Sequence, residues 1–211
     1  MTIPNLITFA IEGPDKVGKA TQSRMLLAAL EEMELLRSHL IEIPSKNHAC
    51  HDKIYDMLRR REDGSAPAHD HPAIFQTFHA ANRFHVQEDL ARIAESGKTV
   101  VVFDRWHISG YIYGRVSGMK KEQLATIVEG MLVPDVTFIL DGRGFDRPEQ
   151  EDDAYEDDEG FQAKVRALYR EHRPQDERIV VEHIEADHPK EIVHQQILTI
   201  TTRTLVSRGF I

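Results

Sequence analysis

The chain holds 211 residues, 41% of them hydrophobic, with a formal charge of −9; that length supports one sizeable core, and with no low-complexity linker a single domain over residues 1–211 is expected. The acidic balance disfavours a nucleic-acid backbone as partner, and without a secretory leader or an apolar run of about 20 residues neither secretion nor a membrane span is expected. One cysteine, Cys50, rules out an internal disulfide and fits a reducing, cytoplasmic compartment.

The first element is an apolar run, Leu6–Ile11, which reads as a buried strand. Glu12-Gly13-Pro14-Asp15-Lys16-Val17-Gly18-Lys19-Ala20-Thr21 follows it and opens a helix expected over Thr21–Met33. A glycine loop between strand and helix, ending in Gly-Lys, is a phosphate cradle: backbone N–H groups converge on an anion, the helix dipole favours it, and Lys19 reaches the outer phosphates. The residue after that lysine usually carries a hydroxyl for Mg²⁺, but here it is Ala20. Thr21 lies about 100° further round the helix and does not replace it. A hydrated Mg²⁺ would then lean on nucleotide oxygens and on carboxylates, with Glu12 and Asp104 as candidates.

Further apolar runs at Leu40–Ile43, Thr99–Phe103, Val136–Leu140 and Ile179–Ile184 read as strands. Helices are expected between and after them at Asp52–Arg60, Ala73–Glu95, Lys121–Glu129, Gly160–His172 and Pro189–Val206, with Asp187 capping the last. The alternation predicts an α/β fold, a parallel sheet covered on both faces, with ligands beyond the carboxyl ends of the strands. Glu12, Lys46 and Asp104 all fall at such ends. Asp104-Arg105 pairs a carboxylate for hydrated magnesium with a guanidinium suited to a phosphate. Leu26, Leu27, Leu30 and Met33 recur at helical spacing and read as core, and Ile192, Ile197, Ile200 and Leu205 of the last helix as its cover on the sheet. His48, Cys50 and His51, with His69 and His71 further on, lack the four regularly spaced ligands of a structural zinc site and fit the loop after Lys46.

Taken together, these segments resemble the thymidylate kinase family of nucleoside monophosphate kinases. Glu12 through Lys19 is similar to its E-G-x-D-(basic)-x-G-K loop, Ile43-Pro44-Ser45-Lys46 to its F-P-x-R segment, and His79-Ala80-Ala81-Asn82-Arg83-Phe84 to F-x-A-x-R. Asp104-Arg105-Trp106 through Ser109-Gly110 is similar to D-R-Y-x-x-S-G, Pro134-Asp135 through Asp141 to a late P-D strand, and Tyr155-Glu156 before Phe161-Gln162 to the end of a lid.

The resemblance implies a three-layer P-loop NTPase fold, a five-stranded parallel sheet with a short lid over about residues 142–160, and transfer of the ATP γ-phosphoryl group to the 5′-phosphate of a deoxynucleoside monophosphate, most simply dTMP. ATP and Mg²⁺ are the implied cofactors and a homodimer the implied assembly. Gly13, Pro14, Asp15, Lys16, Val17, Gly18, Lys19, Ala20 and Thr21 would hold the donor, with Arg143 nearby. Lys16, Lys19 and Arg105 would act on the transferred group, and Arg105 and Lys46 would grip the acceptor phosphate. Asp15 would accept from the sugar 3′-hydroxyl, Arg83 would donate to a base carbonyl, and Ser109, Gly110, Tyr113 and Tyr155 would line the acceptor site.

The departures matter as well. The family stacks the base on a phenylalanine at the position of His79, so either His79 stacks or the base differs; Phe78 points about 100° away. Lys46 replaces an arginine fork with a point charge. Eight carboxylates fill Glu149–Glu159, where some relatives place catalytic arginines, leaving Arg143 and Arg147 at the front edge and Lys16 as the loop's own cation. The bland reading of that stretch is a solvated loop. Phe75, Phe78 and Val86 would form either a dimer face or internal core. Two other readings stay open: a nucleotide binder without transfer chemistry, favoured by Ala20, and a kinase for a sugar hydroxyl, which needs a general base that Glu42, not at a suitable loop end, does not supply.

Overall fold

A computed structural model describes residues 3–33, 36–144, 155, 158–174, 176 and 179–211. In chain order the elements are β1 (Leu6–Glu12), α1 (Lys19–Glu31), β2 (Arg37–Glu42), α2 (His51–Leu58), α3 (Pro67–Asp70), α4 (Pro72–Ala94) and β3 (Thr99–Asp104), then α5 (His107–Val116), α6 (Lys121–Ile127), β4 (Val136–Asp141), α7 (Glu159–Glu171), β5 (Val181–Glu185) and α8 (Lys190–Ser207). The five strands form one parallel sheet in the order β2-β3-β1-β4-β5. Ile11 pairs with Asp104 and Glu12 with Ile139, so the loops after β1, β3 and β4 leave the same edge of the sheet. Ligands bind at that edge of such folds, beside the strand from which successive connections run in opposite directions.

Alternation along the central strands separates two apolar layers. Ile7, Phe9 and Ile11 of β1 pack with Leu26 and Leu30 of α1 and with Val193, Ile197 and Leu205 of α8. Ala10, Val101 and Phe103 face the other way, onto Ala80, Val86 and Leu90 of α4 and Trp106. Ile139 joins Ile108 and Ile112 of α5 and Val165 and Tyr169 of α7. Helices therefore cover both faces, as the strand–helix alternation requires.

Several expectations need correction. The helix α5, which contains Gly110 and Gly114, is not among the helices expected from the sequence. Both are packing requirements: a Cβ at Gly114 would lie 2.5 Å from Leu124 Cδ2, and one at Gly110 would lie 3.1 Å from Arg83 Nη1. The short α3 was also missed. Strand β2 begins at Arg37 because it is an edge strand whose exposed polar residues hide the pattern, and Glu42 ends it, with its carboxylate turned outward to Arg24 at 3.3 Å. Asp187 does not cap α8, whose first flanking residue is Pro189; it accepts from the Arg143 backbone at 2.9 Å instead. Ile192 faces outward, and Val193 and Thr201 are buried in its stead. Phe75 and Val86 are buried within the chain, so neither offers a dimer face.

No described helix is long and apolar enough to cross a membrane. Of the acidic stretch, Asp158 caps α7, accepting from Phe161 N at 2.9 Å. Residues 149–154, 156 and 157, like Arg147 and most of the expected lid, lie outside the described residues.

Candidate active site

The loop after β1 is shaped by left-handed backbone. Gly13 has φ +146°, and a Cβ there would lie 2.7 Å from the Leu140 carbonyl, so only glycine fits. Gly18 has φ +101° and leads into α1, whose first residue is Lys19. Lys16 and Arg105 also take positive φ, 63° and 67°. Non-glycine residues held in this region are uncommon and gather at functional sites; Lys16 and Arg105 sit on the two loops leaving β1 and β3, while Asn5 and Cys50 share the conformation elsewhere.

Those loops meet at one carboxylate. Asp15 accepts from Arg105 Nη2, from Tyr113 Oη at 2.5 Å and from Gln162 Nε2 at 2.9 Å, with Lys19 Nζ at 3.8 Å. Burial opposes its ionised form, but the Arg105 and Lys19 charges and these hydrogen bonds prevail and hold its pKa at about 2. Arg105 also donates to the Gly13 carbonyl at 3.2 Å and to Ser109 Oγ at 3.3 Å, and lies 5.6 Å from the Tyr113 ring centroid. Burial works against its charge, yet Asp15 and the neighbouring tyrosines keep its pKa well above the ordinary value. Lys19 donates to the Pro14 carbonyl. Burial, then Arg105, lowers its pKa to about 8, against the pull of Asp15, Asp104 and Glu12.

Glu12 is committed elsewhere. It is fully buried and accepts from Trp106 N at 2.8 Å, Ser109 N at 3.1 Å, Ser109 Oγ and Tyr169 Oη at 3.1 Å. Two of those donors are backbone amides at the start of α5, where no intrahelical partner exists. This carboxylate from β1 thus caps a helix far along the chain. Asp104, at the end of β3, is raised in pKa by burial, which the Lys19 and Arg105 charges counter.

Beyond Arg105 a cavity opens, walled by Asp15, Pro44, His79, Arg83, Gly110 and Tyr113. Ser109 and Tyr155 complete it, with Phe75 and Gln76 on α4. Phe75, His79 and Arg83 recur every four residues and so share one face of α4; Phe75 meets His79 edge-on at 4.6 Å. Burial, followed by the Arg83 and Arg105 charges, pushes His79 well below the imidazole range, so the ring is neutral at pH 7. Tyr155 stacks on Phe161 at 4.4 Å and donates to the Ala68 carbonyl at 3.1 Å.

Among the residues singled out in the sequence, Asp15, His79, Arg83, Arg105, Ser109, Gly110, Tyr113 and Tyr155 therefore share this cavity, and Asp15 is the residue of the glycine loop that lines it. Three others lie apart. Lys46 is exposed and does not line the cavity. Arg143 is exposed, paired with Asp187 at 3.3 Å. Glu12 faces α5. His48 lies in a polar clasp, with Nδ1 2.7 Å from Ser45 Oγ and Nε2 3.2 Å from Asp89, while Asn82 ties the backbone of Ser45 and Ala49 to α4. Among the described residues no group of three or more His, Cys, Asp or Glu could hold a metal ion.

Sequence reasoning missed Phe75, Gln76, Gln162 and Tyr169. The four-residue spacing back from Arg83 and His79 could have found Phe75. Gln162 and Tyr169 reach the site only through the packing of α7 on α5, which no local pattern announces.

Comparison with known proteins agrees with this geometry. The family model described as "Thymidylate kinase" matches residues 11–197. A thymidylate kinase of Dictyostelium discoideum is 27% identical over 163 residues, covering 76% of this chain and 70% of the relative. A thymidylate kinase of an African swine fever virus isolate is 30% identical over 139 residues, covering 65% of this chain but only 52% of the relative. A solved thymidylate kinase of Candida albicans superposes with a TM-score of 0.69 at 23% identity, over 94% of this chain and 92% of that one, and shares the fold. Because that family model spans nearly the whole chain, from residue 11 to residue 197, the chain belongs to the thymidylate kinase family.

Proposed function

We propose that the chain transfers the γ-phosphoryl group of ATP to the 5′-phosphate of dTMP, giving dTDP. One observation carries this reading: Asp15 ties the donor loop to Arg105 at the mouth of a cavity that has Arg83 at its inner end. A donor phosphate chain on the loop amides and an acceptor phosphate at Arg105 would then lie in line. The acceptor is already an anion and needs no general base, so positioning and charge neutralisation carry the rate. Lys19 and the amides of the loop bind the donor. Lys16 belongs to the same loop and bridges donor and acceptor. Arg105 grips the acceptor phosphate, and Arg83 donates to the base carbonyl. Asp15 and Tyr113 face the sugar. Lys46 is a weaker candidate for the phosphate, since it does not line the cavity.

The donor set suits a magnesium ion that arrives with the nucleotide. Ala20 offers no hydroxyl and Glu12 is occupied, which leaves Asp104 to hold the ion through water. When bound, the ion neutralises phosphate charge. Restoring the missing ligand gives a direct test: Ala20→Ser is expected to lower the Mg²⁺ concentration for half-maximal activity by about 3–10-fold, about 1 kcal/mol. A magnesium titration of both proteins reads this, and identical curves would remove position 20 from the metal site.

The chain is proposed to act as one catalytic unit, as a homodimer and in the cytoplasm, without nucleic acid or membrane as partner; the support is the resemblance, the acidic composition and the single cysteine. A reading as a nucleotide binder without transfer draws on Ala20 alone. A coupled ADP-release assay across dTMP, dUMP, dCMP, dGMP and dAMP separates the two, because a binder would show no acceleration of ATP turnover by any of them.

A further inference from the structure

Among the described residues, two polar side chains in the cavity wall have no hydrogen-bond partner. Gln76 is 3% exposed and Arg83 2%, and among the described residues neither the Gln76 amide nor the Arg83 guanidinium has a hydrogen-bond partner. Arg83 Nε is fully enclosed without one. A buried amide or guanidinium in that condition costs free energy unless something else supplies the missing bonds. Both line the cavity beyond Arg105, one from each end of two turns of α4.

Gly110 leaves room for the two on the opposite side. A Cβ there would lie 3.1 Å from Arg83 Nη1 and 3.2 Å from Gln76 Oε1, so these two ends sit side by side over the glycine. The sequence offered Arg83 and Gly110 by resemblance, and gave no reason to single out Gln76.

We propose that Gln76 is a specificity-determining residue which, beside Arg83, reads the imide edge of a pyrimidine base. This deepens the kinase reading and rests on it. Arg83 carries donors only, so it requires an acceptor from the base, such as the 4-carbonyl of thymine or uracil. The ring N3–H next to that carbonyl is a donor, and the Gln76 amide oxygen is the acceptor beside Arg83. Cytosine reverses both atoms: its 4-amino group would point a donor at the guanidinium, and its N3 has no proton to give. A site built to pair buried polar groups rejects the mismatched ligand strongly, because the mismatch leaves those groups without partners. His79, neutral and edge-on to Phe75, adds a ring to this wall without adding a charge.

On its far side the same wall borders a second cavity, reached from α6 and the end of α7. A Gln76 that merely braced this partition would affect stability and leave base preference alone. The test is calorimetric binding of dTMP, dUMP and dCMP to the wild type and to Gln76→Met, which keeps the side-chain length, with coupled ADP release and thermal melting alongside. The wild type is expected to bind dTMP and dUMP about 100-fold more tightly than dCMP, and Gln76→Met to narrow that ratio about tenfold by weakening dTMP and dUMP, with the KM for ATP unchanged. An unchanged ratio in a folded Gln76→Met protein overturns the proposal, as does a wild type that binds all three alike or none. Binding with the expected ratio but no ADP release would sink the kinase reading and leave the role of Gln76 standing.

Discussion

Replacing Lys19 by alanine is expected to lower kcat about 10²–10³-fold, with acceptor binding little changed. The side chain is buried, at the first position of α1, with its ammonium on the Pro14 carbonyl and its proton weakened to a pKa of about 8 by burial and by Arg105. An ammonium held against burial and the Arg105 charge gains much when an anion arrives, because phosphate oxygens add the opposite charge that its site supplies only in part. The pH dependence has a definite sign. Phosphate binding needs the protonated amine, so ATP affinity should fall as pH rises through about 8. Folding stability should move the other way in that range. The unfolded chain keeps the lysine proton up to about pH 10.4, so between about pH 8 and that value it binds more protons than the native state, and stability from this group rises with pH. Binding titrations and urea melts from pH 7 to 10 check both trends, and Lys19→Arg should flatten the binding profile. A Lys19→Ala protein with near-normal kcat would mean that the loop amides alone hold the transferred phosphate.

The sequence announced the parts of this site that follow local rules and hid those that depend on packing. Strands β1, β3 and β4 are continuous apolar runs because both faces of a parallel sheet are covered, and their ends carry Glu12, Asp104 and Asp141. The glycine loop is legible because left-handed backbone at Gly13 and Gly18 demands glycine. Helix α5 is illegible for the mirror reason: Gly110 and Gly114 are there to admit Arg83, Gln76 and Leu124, a tertiary fact that looks locally like a turn. Asp187 resembled a helix cap and serves Arg143 instead, since a carboxylate takes whichever donors the fold brings near it. Gln162 is the clearest case. It donates to Asp15 from 147 residues away, and only the return of α7 over the site makes that contact.

Glu12 carries the second large effect. As a carboxylate closing a strand beside a phosphate loop, it looked like a partner for hydrated magnesium, but its buried bonds point to a positioning role. Glu12→Ala would leave the amides of Trp106 and Ser109 and the hydroxyls of Ser109 and Tyr169 without that acceptor. Buried donors left unpaired cost about 1–3 kcal/mol each, and with partial relaxation a total loss of about 3–5 kcal/mol is expected in urea unfolding. The consequence reaches the chemistry through Arg105. Its amide donates to the Ile11 carbonyl at 3.0 Å, and the next residue's amide is held by Glu12, so two bonds to β1 fix the left-handed turn that aims the guanidinium at Asp15. Glu12→Gln keeps one acceptor oxygen and should be milder, with a higher KM for the mononucleotide and an unshifted magnesium titration. A variant that stays as stable as the wild type but needs far more Mg²⁺ would return Glu12 to the metal and leave the Arg105 turn to be held by Ile11 alone.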